Sequence, residues 1–361
     1  MRVFFSAGEA SGDAYATALS KQLRHLDPEV ELEGIGGATL KEFGATLYAD
    51  SSHWGAISIS QSVKIGFRVL FGMRQAAKEF KRGKPGVFVP IDFGFANIRM
   101  SRLAKASGWK VIYFVPPRSW GKTHQGKDLP FVTDEIVTPF SWSAEILNKM
   151  GAKAHWFGHP MLDLAVGPAR SAARKGIAVL PGSRLHEIRE NLPVIARSLS
   201  AEPVEFAVAP NWSVQQLQDL WAKFAPERRE DVFTEHDVFG VLDRAVVAIV
   251  CSGTATLQAA IMDCPQIVIY RVSKIVELEG RLTGIMKKIK FFSLPNIFLD
   301  REVVPELIQH GATPQAISKH IAGLEADSTA QLAGYAEIRA MLGKPGAITK
   351  TAERIIELGR S

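Results

Sequence analysis

Cysteine is scarce in this sequence, with only Cys251 and Cys264 among 361 residues. Two cysteines cannot form a disulfide framework or, by themselves, a four-ligand zinc site, and they fit a reducing compartment. No apolar run approaches the roughly 20 residues needed to span a bilayer. The apolar start Met1–Phe5 gives way at once to Ser6–Glu9, which is not the pattern of a signal peptide. We therefore expect a cytoplasmic protein with no membrane-spanning segment.

A large excess of charge is also lacking, since 43 Lys and Arg residues face 37 Asp and Glu residues for a net charge of +6. This balance permits anionic partners without requiring any, and we expect no nucleic-acid partner. The nine histidines show no metal-ligand spacing, so we expect no metal ion.

The chain has the length of about two domains. Its 47% hydrophobic content is enough for two cores.

Two nucleotide-binding motifs are missing as well. No glycine-rich loop ends in Gly-Lys-Ser or Gly-Lys-Thr, which excludes P-loop chemistry. The turn after the first apolar run, Gly8–Asp13, reads Gly-Glu-Ala-Ser-Gly-Asp instead of G-x-G-x-x-G, so a dinucleotide-binding fold has little support.

Short apolar runs alternate with helical segments, which predicts right-handed βαβ units and parallel sheets with sites at the carboxyl ends of the strands. The segment Asp163–Lys175 interrupts this alternation and suits a linker. We expect two α/β domains, residues 1–165 and 176–345, with a cleft between them and a C-terminal helix in 346–361 that packs back on the first domain. The predicted strands are Arg2–Ser6, Val87–Ile91, Lys110–Val115, Glu135–Val137, Ala154–Phe157, Gly176–Leu180, Val204–Val208, Ala245–Val250 and Gln266–Tyr270.

Two turns after apolar strands of the second half carry residues suited to an anion. In Leu180–Arg184 the turn exposes backbone N–H groups, and Arg184 offers a fork of donors to a phosphate. An ordinary strand-to-helix turn is the alternative. In Val250–Gln258 small residues open a helix, whose N–H groups and dipole favour a diphosphate. Capping of that helix by Ser252 or Thr254 is the competing interpretation.

Three further features each have two interpretations. Ser293 and Asn296 lie inside an apolar segment, so they either satisfy a loop backbone or face a ligand. Asp92 follows the strand Val87–Ile91, where a doubly wound fold places catalytic groups, or it caps the next helix. The basic amphipathic stretch Arg271–Lys290 either contacts an anionic membrane, at about 1 kcal/mol per nearby basic residue, or is a solvated helix with a packed inner face.

Taken in order, these motifs resemble the lipid-A-disaccharide synthases, a family of inverting glycosyltransferases with two facing Rossmann-like domains of the GT-B type. Each motif is short, but their order and spacing cover nearly the whole chain. The matching segments are Ser6–Asp13, Gly34–Gly37, Val89–Asp92, Phe157–Pro160, Leu180–Arg184, Ser252–Leu257, Tyr270–Ser273, Ser293–Ile297 and Arg301–Leu307.

The resemblance implies the transfer of 2,3-diacylglucosamine from UDP-2,3-diacylglucosamine to 2,3-diacylglucosamine 1-phosphate. The products would be a β-1,6-linked acylated disaccharide phosphate and UDP, with no metal or other cofactor. Because both substrates are acylated, we expect peripheral association with the anionic surface of the inner membrane. Self-association is left open.

The resemblance also implies a donor site in the second half and an acceptor site with a catalytic base in the first. The donor-site residues are Ser183, Arg184, Ser252, Gly253, Thr254, Gln258, Arg271 and Asn296. The acceptor-side residues are Ser11, Gly12 and Asn97, and the candidate bases are Asp92, followed by Glu9 and Asp13.

The first half departs from the family pattern where the acceptor and the base are expected. The family reads Ile-Asp-Ala-Pro-Asp-Phe-Asn, whereas Ile91–Asn97 keeps only the first aspartate, Asp92. Phe95 stands in place of the second and cannot transfer a proton. The family's Ser-Pro-Ser-Val-Trp-Ala-Trp segment is rewritten as Pro116–Lys122, and Gln258 replaces a glutamate in the donor half.

Three hypotheses follow from these departures. Synthesis of the lipid A disaccharide is the leading one. The alternatives are a glycosyltransferase of the same fold that uses a different acceptor, and a non-catalytic membrane-surface protein that binds a UDP-sugar. The sequence leaves the acyl-chain length and the true acceptor open.

Overall fold

The computed structural model describes residues 1–52, 54, 59–165, 174–273, 276–277 and 289–361, with the backbone alone for residues 59–64. The chain divides into two compact units, Met1–Leu164 with Leu342–Ser361, and Ala165–Met341. The end of the chain therefore belongs to the first unit. The expected linker, Asp163–Lys175, falls mostly on residues 166–173, which lie outside the described residues.

A parallel sheet forms the centre of the first unit. Its seven described strands follow the order β3-β2-β1-β4-β5-β6-β7. Parallel sheets are covered on both faces, so their inner strands are continuous apolar runs; every residue of Val87–Ile91 is buried. The strands are β1 (Arg2–Ala7), β2 (Glu31–Gly36), β3 (Thr46–Asp50), β4 (Val87–Ile91), β5 (Lys110–Phe114), β6 (Glu135–Thr138) and β7 (Ala154–Trp156).

The second unit has its own parallel sheet, with six described strands in the order β10-β9-β8-β11-β12-β13. Two parallel α/β domains confirm the predicted fold class. The strands are β8 (Ile177–Leu180), β9 (Glu205–Val208), β10 (Val232–Glu235), β11 (Val247–Cys251), β12 (Gln266–Tyr270) and β13 (Glu306–Ile308).

Helices connect the strands in both units, as parallel pairing requires. No helix within the described residues is long and apolar enough to cross a membrane. The α-helices described are α1 (Ala10–Leu26), α2 (Ala38–Glu42), α3 (Ile59–Phe80), α4 (Gly94–Ala106), α5 (Leu129–Val132), α6 (Ser141–Lys149), α7 (Met161–Leu164), α8 (Leu185–Ala196), α9 (Val214–Trp221), α10 (Val238–Arg244), α11 (Thr254–Ile261), α12 (Leu294–Leu299), α13 (Pro314–Ala326), α14 (Thr329–Leu342) and α15 (Ala347–Arg360).

The strands that sequence patterning missed are β2, β3, β10 and β13. Three of these, β3, β10 and β13, lie at the edges of their sheets. They are short and partly exposed, so they lack the continuous apolar run of an inner strand. Strand β2 lies inside its sheet, but glutamates and glycines interrupt its apolar pattern.

The C-terminal helix α15 packs on α1 in the first unit. Its apolar residues recur at helical spacing, and Ile348, Ala352 and Ile355 are buried. The carboxylate of Asp163 accepts hydrogen bonds from the N–H groups of Gly346 and Ile348, which secures the start of the helix.

An ion-pair cluster fixes the middle of α15 to the sheet. The carboxylate of Glu135 on β6 is buried, and it accepts a hydrogen bond from Arg354 Nε at 2.9 Å and from Lys153 Nζ at 2.6 Å. Burial by itself raises the pKa of Glu135. The hydrogen bonds and charges of Arg354 and Lys153 outweigh burial and lower that pKa below its ordinary value.

We expect Arg354→Met to lower the free energy of unfolding by about 2 kcal/mol, between the values for exposed and buried pairs. Urea denaturation at pH 7 measures this loss. Because the pKa of Glu135 is lower in the folded state, its contribution is present above the ordinary glutamate pKa and is lost as pH falls through the lowered value. The difference between wild type and variant should therefore shrink on acidification.

Arg360→Met, at the exposed end of the same helix, is the matched control and should leave the free energy of unfolding unchanged. An equal loss in both variants would show that helix α15 is not held through Glu135.

Candidate functional site

The carboxyl end of β4 carries Asp92 in a backbone conformation that residues other than glycine rarely adopt. Asp92 and Phe93 have φ values of 46° and 49°, at a cost of roughly 1–3 kcal/mol each. The N–H of Asp92 donates to the carbonyl of Phe114 at 3.2 Å. Its carbonyl accepts from the Tyr113 hydroxyl at 2.7 Å and from Asn97 Nδ2 at 2.9 Å. These contacts hold the turn, and the Asp92 side chain remains exposed to solvent.

The side chain of Asn97 joins the ends of β1 and β4. Its Oδ1 accepts from the Ser6 hydroxyl at 2.6 Å, and its Nδ2 also donates to the carbonyls of Ser6 and Ile91, both at 3.1 Å. The sequence prediction placed Asn97 on the acceptor side, but the side chain is wholly buried. Asn97 therefore holds the Asp92 turn and does not reach an acceptor.

The carboxylate of Asp13 is also committed to the protein. It accepts from the N–H of Gly37 at 2.6 Å and from the N–H and hydroxyl of Thr39 at 3.0 and 2.6 Å. The residue is only 4% exposed. Asp13 thus secures the turn between β2 and α2, and these contacts argue against the predicted role as a base.

The pKa of Asp92 is raised from its ordinary value of 3.8 to about 6. The main cause is desolvation by the surrounding protein, and the negative charge of Glu9 adds to it, while the N–H of Phe93 acts in the opposite direction. Glu9 is exposed at the start of α1. A carboxylate with a pKa near the working pH is well matched to general-base catalysis.

Small residues bring α1 close to the sheet below Asp92. A Cβ atom at Gly12 would lie 3.3 Å from the Cβ of Ala7, and one at Gly8 would lie 2.3 Å from the ring of Phe93. Glycine therefore lets Phe93 pack over the end of β1. Ser11 on the same turn is half-buried and stays an acceptor-side prediction.

Phe95, which replaces the family's second aspartate, lies on the surface at the start of α4. Its ring is 70% exposed, and the guanidinium of Arg99 lies 4.2 Å from the ring centroid. This cation–π pair offers no proton acceptor, so Asp92 and Glu9 are the predicted bases that remain at this edge of the sheet.

In the second unit, several side-chain hydrogen bonds fix the turn after β8. The Ser183 carbonyl accepts from Asn211 Nδ2 at 2.8 Å and from Trp212 Nε1 at 2.9 Å. Arg184 is the N-cap residue of α8, and its guanidinium donates to Glu187 at 2.8 Å. The turn therefore caps a helix, with the Arg184 N–H also donating to Glu187 at 3.3 Å. Phosphate binding by Arg184 stays a prediction.

The turn after β11 is open at the start of α11. Gly253 is the N-cap residue, with a φ of 142° and no side-chain cap. The hydroxyl of Ser252 donates to the Phe292 carbonyl at 2.6 Å, and Thr254 is already the first helical residue. The predicted capping by Ser252 or Thr254 is therefore wrong. The N–H of Thr256 donates to the Gly253 carbonyl at 3.1 Å, and binding of an anion at the start of this helix stays a prediction.

A cluster of polar side chains supports this turn from the segment that contains α12. Glu306 on β13 accepts from the N–H and hydroxyl of Ser293 at 2.8 and 2.6 Å and from Asn296 Nδ2 at 2.8 Å. Asn296 Oδ1 accepts from the N–H groups of Val303 and Val304. Ser293 and Asn296 are wholly buried, so they satisfy the loop and Asn296 does not face a ligand.

Two other predicted donor-site residues differ in their contacts. Arg271 hydrogen-bonds backbone carbonyls of the protein, whereas the side chain of Gln258 has no such bond among the described residues. Arg271 Nη1 donates to the carbonyls of Gln309 and Ala312 at 3.2 and 3.0 Å. Gln258 lies half-buried one turn into α11 and makes no side-chain hydrogen bond in the described part of the chain.

The positioning residues Glu187, Asn211, Trp212 and Glu306 were missed by sequence reasoning. Glu187 follows Arg184 at capping-box spacing, which could have identified it. Glu306 lies in a family-like segment that was matched but given no role. Asn211 and Trp212 follow β9 and carry no local signal. Among the described residues, no group of three or more His, Cys, Asp or Glu side chains could hold a metal ion.

Comparison with known proteins gives consistent matches. A family model described as lipid-A-disaccharide synthetase matches residues 3–349. The lipid-A-disaccharide synthase of Myxococcus xanthus (strain DK1622) is 33% identical, with 99% of this chain and 97% of that protein covered. The enzyme of that name from Synechocystis sp. is 28% identical, with 99% and 98% covered.

Solved structures share the fold at low identity. MurG of Acinetobacter baumannii has a TM-score of 0.55 at 15% identity, with 99% of both chains covered. The UDP-GlcNAc 2-epimerase of Neisseria meningitidis, solved bound to UDP-GlcNAc, has a TM-score of 0.55 at 11% identity, also with 99% of both chains covered. These likenesses support the GT-B type of fold.

The influence of Glu9 on Asp92 can be measured directly. We expect the Asp92 carboxyl to titrate near pH 6, and Glu9→Gln to lower that pKa in part, because a neighbouring negative charge is removed while desolvation by the surrounding protein remains. Carboxyl-carbon NMR, with Asp92→Asn for assignment, follows both. Glu29→Gln, an exposed site elsewhere in the first unit, is the control, and titration of Asp92 near pH 4 in wild type would contradict the prediction.

Proposed function

This chain belongs to the lipid-A-disaccharide synthetase family, and on that premise we propose which of its residues carry out the family's glycosyl transfer. The reaction moves 2,3-diacylglucosamine from its UDP ester to 2,3-diacylglucosamine 1-phosphate. The observation that carries the assignment is the family match over residues 3–349. Different-acceptor and non-catalytic alternatives are not favoured, since the full-length relatives carry the same activity in their names.

We propose that the second unit binds the UDP part of the donor. The guanidinium of Arg184 and the N–H groups at the start of α11 are suited to the diphosphate, because both supply donors and positive charge. Ser183, Ser252, Gly253 and Thr254 contribute backbone to these two turns, and Gln258 is suited to a ribose hydroxyl. The GT-B neighbour bound to UDP-GlcNAc supports this coarse assignment.

In the first unit, we propose Asp92 as the general base. Its carboxylate takes the proton of the acceptor's 6-hydroxyl as that oxygen forms a bond to the anomeric carbon. The bond from the anomeric carbon to the diphosphate breaks at the same time, and UDP leaves with the electron pair. Arg184 and the α11 terminus stabilise the negative charge that develops on UDP.

The acylated substrates also call for contact with a membrane. Most of the basic stretch Arg271–Lys290 lies outside the described residues, and the described Lys290 pairs with Asp300 at 2.8 Å. Helix α3 offers a better-defined surface. We call its three exposed apolar side chains, at i, i+3 and i+4, the α3 ridge. The ridge residues are Phe67 (76% exposed), Leu70 (44%) and Phe71 (54%).

Exposed cations flank the α3 ridge. Arg68, Arg74 and Lys78 are on the same helix and exposed. Apolar side chains that enter the interface, with basic residues beside anionic headgroups, are typical of a peripheral membrane helix. We therefore propose that α3 docks the enzyme on the anionic inner-membrane surface where its substrates lie.

The reaction is tested with purified protein, UDP-2,3-diacylglucosamine and 2,3-diacylglucosamine 1-phosphate, with the disaccharide phosphate detected by mass spectrometry. Asp92→Asn should lower kcat by about 10²- to 10⁴-fold, the usual contribution of a general base. UDP binding, measured by calorimetry, should not change in that variant. Arg184→Ala should weaken UDP binding by about 10- to 100-fold, as expected for a lost charge-assisted hydrogen bond.

The pH profile of the wild type gives an independent check. Because the base must be deprotonated, kcat/KM should rise with pH through an apparent pKa near 6. If folded protein binds UDP but forms no disaccharide phosphate, the proposed function is excluded.

Membrane docking predicts that replacing the three ridge residues by serine lowers binding to vesicles rich in phosphatidylglycerol by at least about tenfold. A tenfold loss of affinity corresponds to about 1.4 kcal/mol, and burial of even one large apolar side chain contributes about that much. Liposome co-sedimentation measures this. Val232→Ser, at an exposed apolar site of the second unit, is the control. Undiminished binding of the triple variant would exclude the α3 ridge as the main contact.

A further inference from the structure

Tyr15 lies on α1, two residues beyond Asp13, and neither the family motifs nor the proposed mechanism uses it. The residue is only 5% exposed. Its ring packs edge-to-face on Phe114, with 5.8 Å between the ring centroids. Phe114 ends β5, and its carbonyl accepts the N–H of Asp92. The ring of Tyr15 therefore lies beneath the turn that presents Asp92.

The hydroxyl of Tyr15 has no hydrogen-bond partner among the described residues. The two other most deeply buried tyrosines both have one: Tyr113 donates to the Asp92 carbonyl at 2.7 Å, and Tyr335 donates to Gln331 Oε1 at 2.7 Å. The residue is packed, but its hydroxyl oxygen is not fully buried. A hydroxyl that solvent reaches and that no protein group occupies can donate a hydrogen bond to a ligand.

The negative charges near Tyr15 are consistent with a hydroxyl close to Asp92. Burial raises the pKa of Tyr15, and the negative charges of Asp92 and Asp163 raise it further. The phenol therefore stays protonated at neutral pH and can donate a hydrogen bond. The Tyr15 hydroxyl makes no hydrogen bond to Asp163 in the described part of the chain, and the Asp163 oxygens accept the N–H groups of Gly346 and Ile348.

We propose that the Tyr15 hydroxyl contacts the acceptor, donating a hydrogen bond to an oxygen of the acceptor sugar. This inference rests on the proposed function, because it takes Asp92 as the base. The bond orients the sugar so that its attacking hydroxyl lies at the Asp92 carboxylate. An unpartnered donor on a fully packed ring is preorganised for this task, since binding the sugar requires no protein bond to be broken.

The test compares two packed tyrosines, of which Tyr335 has hydrogen-bond partners in the protein and Tyr15 has none among the described residues. Tyr15→Phe should lower kcat/KM for the acceptor by about tenfold, as for one neutral hydrogen bond. UDP affinity should not change, and Tm should be unchanged or higher, since no protein hydrogen bond is lost. Tyr335→Phe should do the reverse: Tm falls because its bonds to Gln331 and Gln266 are lost, while kcat/KM does not change.

Direct binding separates this inference from the proposed function. Calorimetry with a short-chain diacylglucosamine 1-phosphate is run on wild type and Tyr15→Phe, beside the turnover assay. Weaker binding by the variant supports the contact even if the wild type forms no disaccharide. In that case only the proposed function would be excluded. Equal binding and equal kcat/KM in both proteins would overturn the inference, as would a wild type that does not bind this acceptor.

Discussion

The buried amide of Asn97 is the contact on which the proposed catalytic edge of the first unit depends. It ties the end of β1, through Ser6, to the end of β4 and to the carbonyl of Asp92. The positive φ angles of Asp92 and Phe93 are unfavourable by themselves. A side chain that satisfies several backbone groups at once can maintain them, so the backbone of Asp92 is fixed at the sheet edge.

In the second unit, a different cluster of polar residues holds the turn at the start of α11. Asn296 is buried and Glu306 is partly buried, and together they satisfy the loop around Ser293. That loop supplies the Phe292 carbonyl, which accepts the Ser252 hydroxyl at the start of α11. In both units the turn that would meet substrate is held by buried polar residues behind it. Such residues look like ligand-binding residues in a sequence because both roles require the same hydrogen-bonding groups.

The replacement of the family's second aspartate by Phe95 removes a negative charge from the surface near Asp92. Phe95 occupies its position as an exposed ring under Arg99, so this surface carries no negative charge there. Asp92 keeps a negative neighbour in Glu9, and that charge together with desolvation brings its pKa to about 6. A single carboxylate with such a pKa is sufficient as a base near neutral pH, so the proposed chemistry does not require the missing aspartate.

The amino-acid pattern by itself determined the two parallel α/β domains and every inner strand but β2, and it predicted two turns suited to a diphosphate, because continuous apolar runs followed by small residues are local signals. It could not separate Asn97, Asp13 and Asn296 from residues that meet substrate, nor find Glu306 and the Tyr15 hydroxyl. Those distinctions depend on burial and on partners distant in the chain. Only the tertiary structure decides which polar atoms the protein itself satisfies and which it leaves for a ligand.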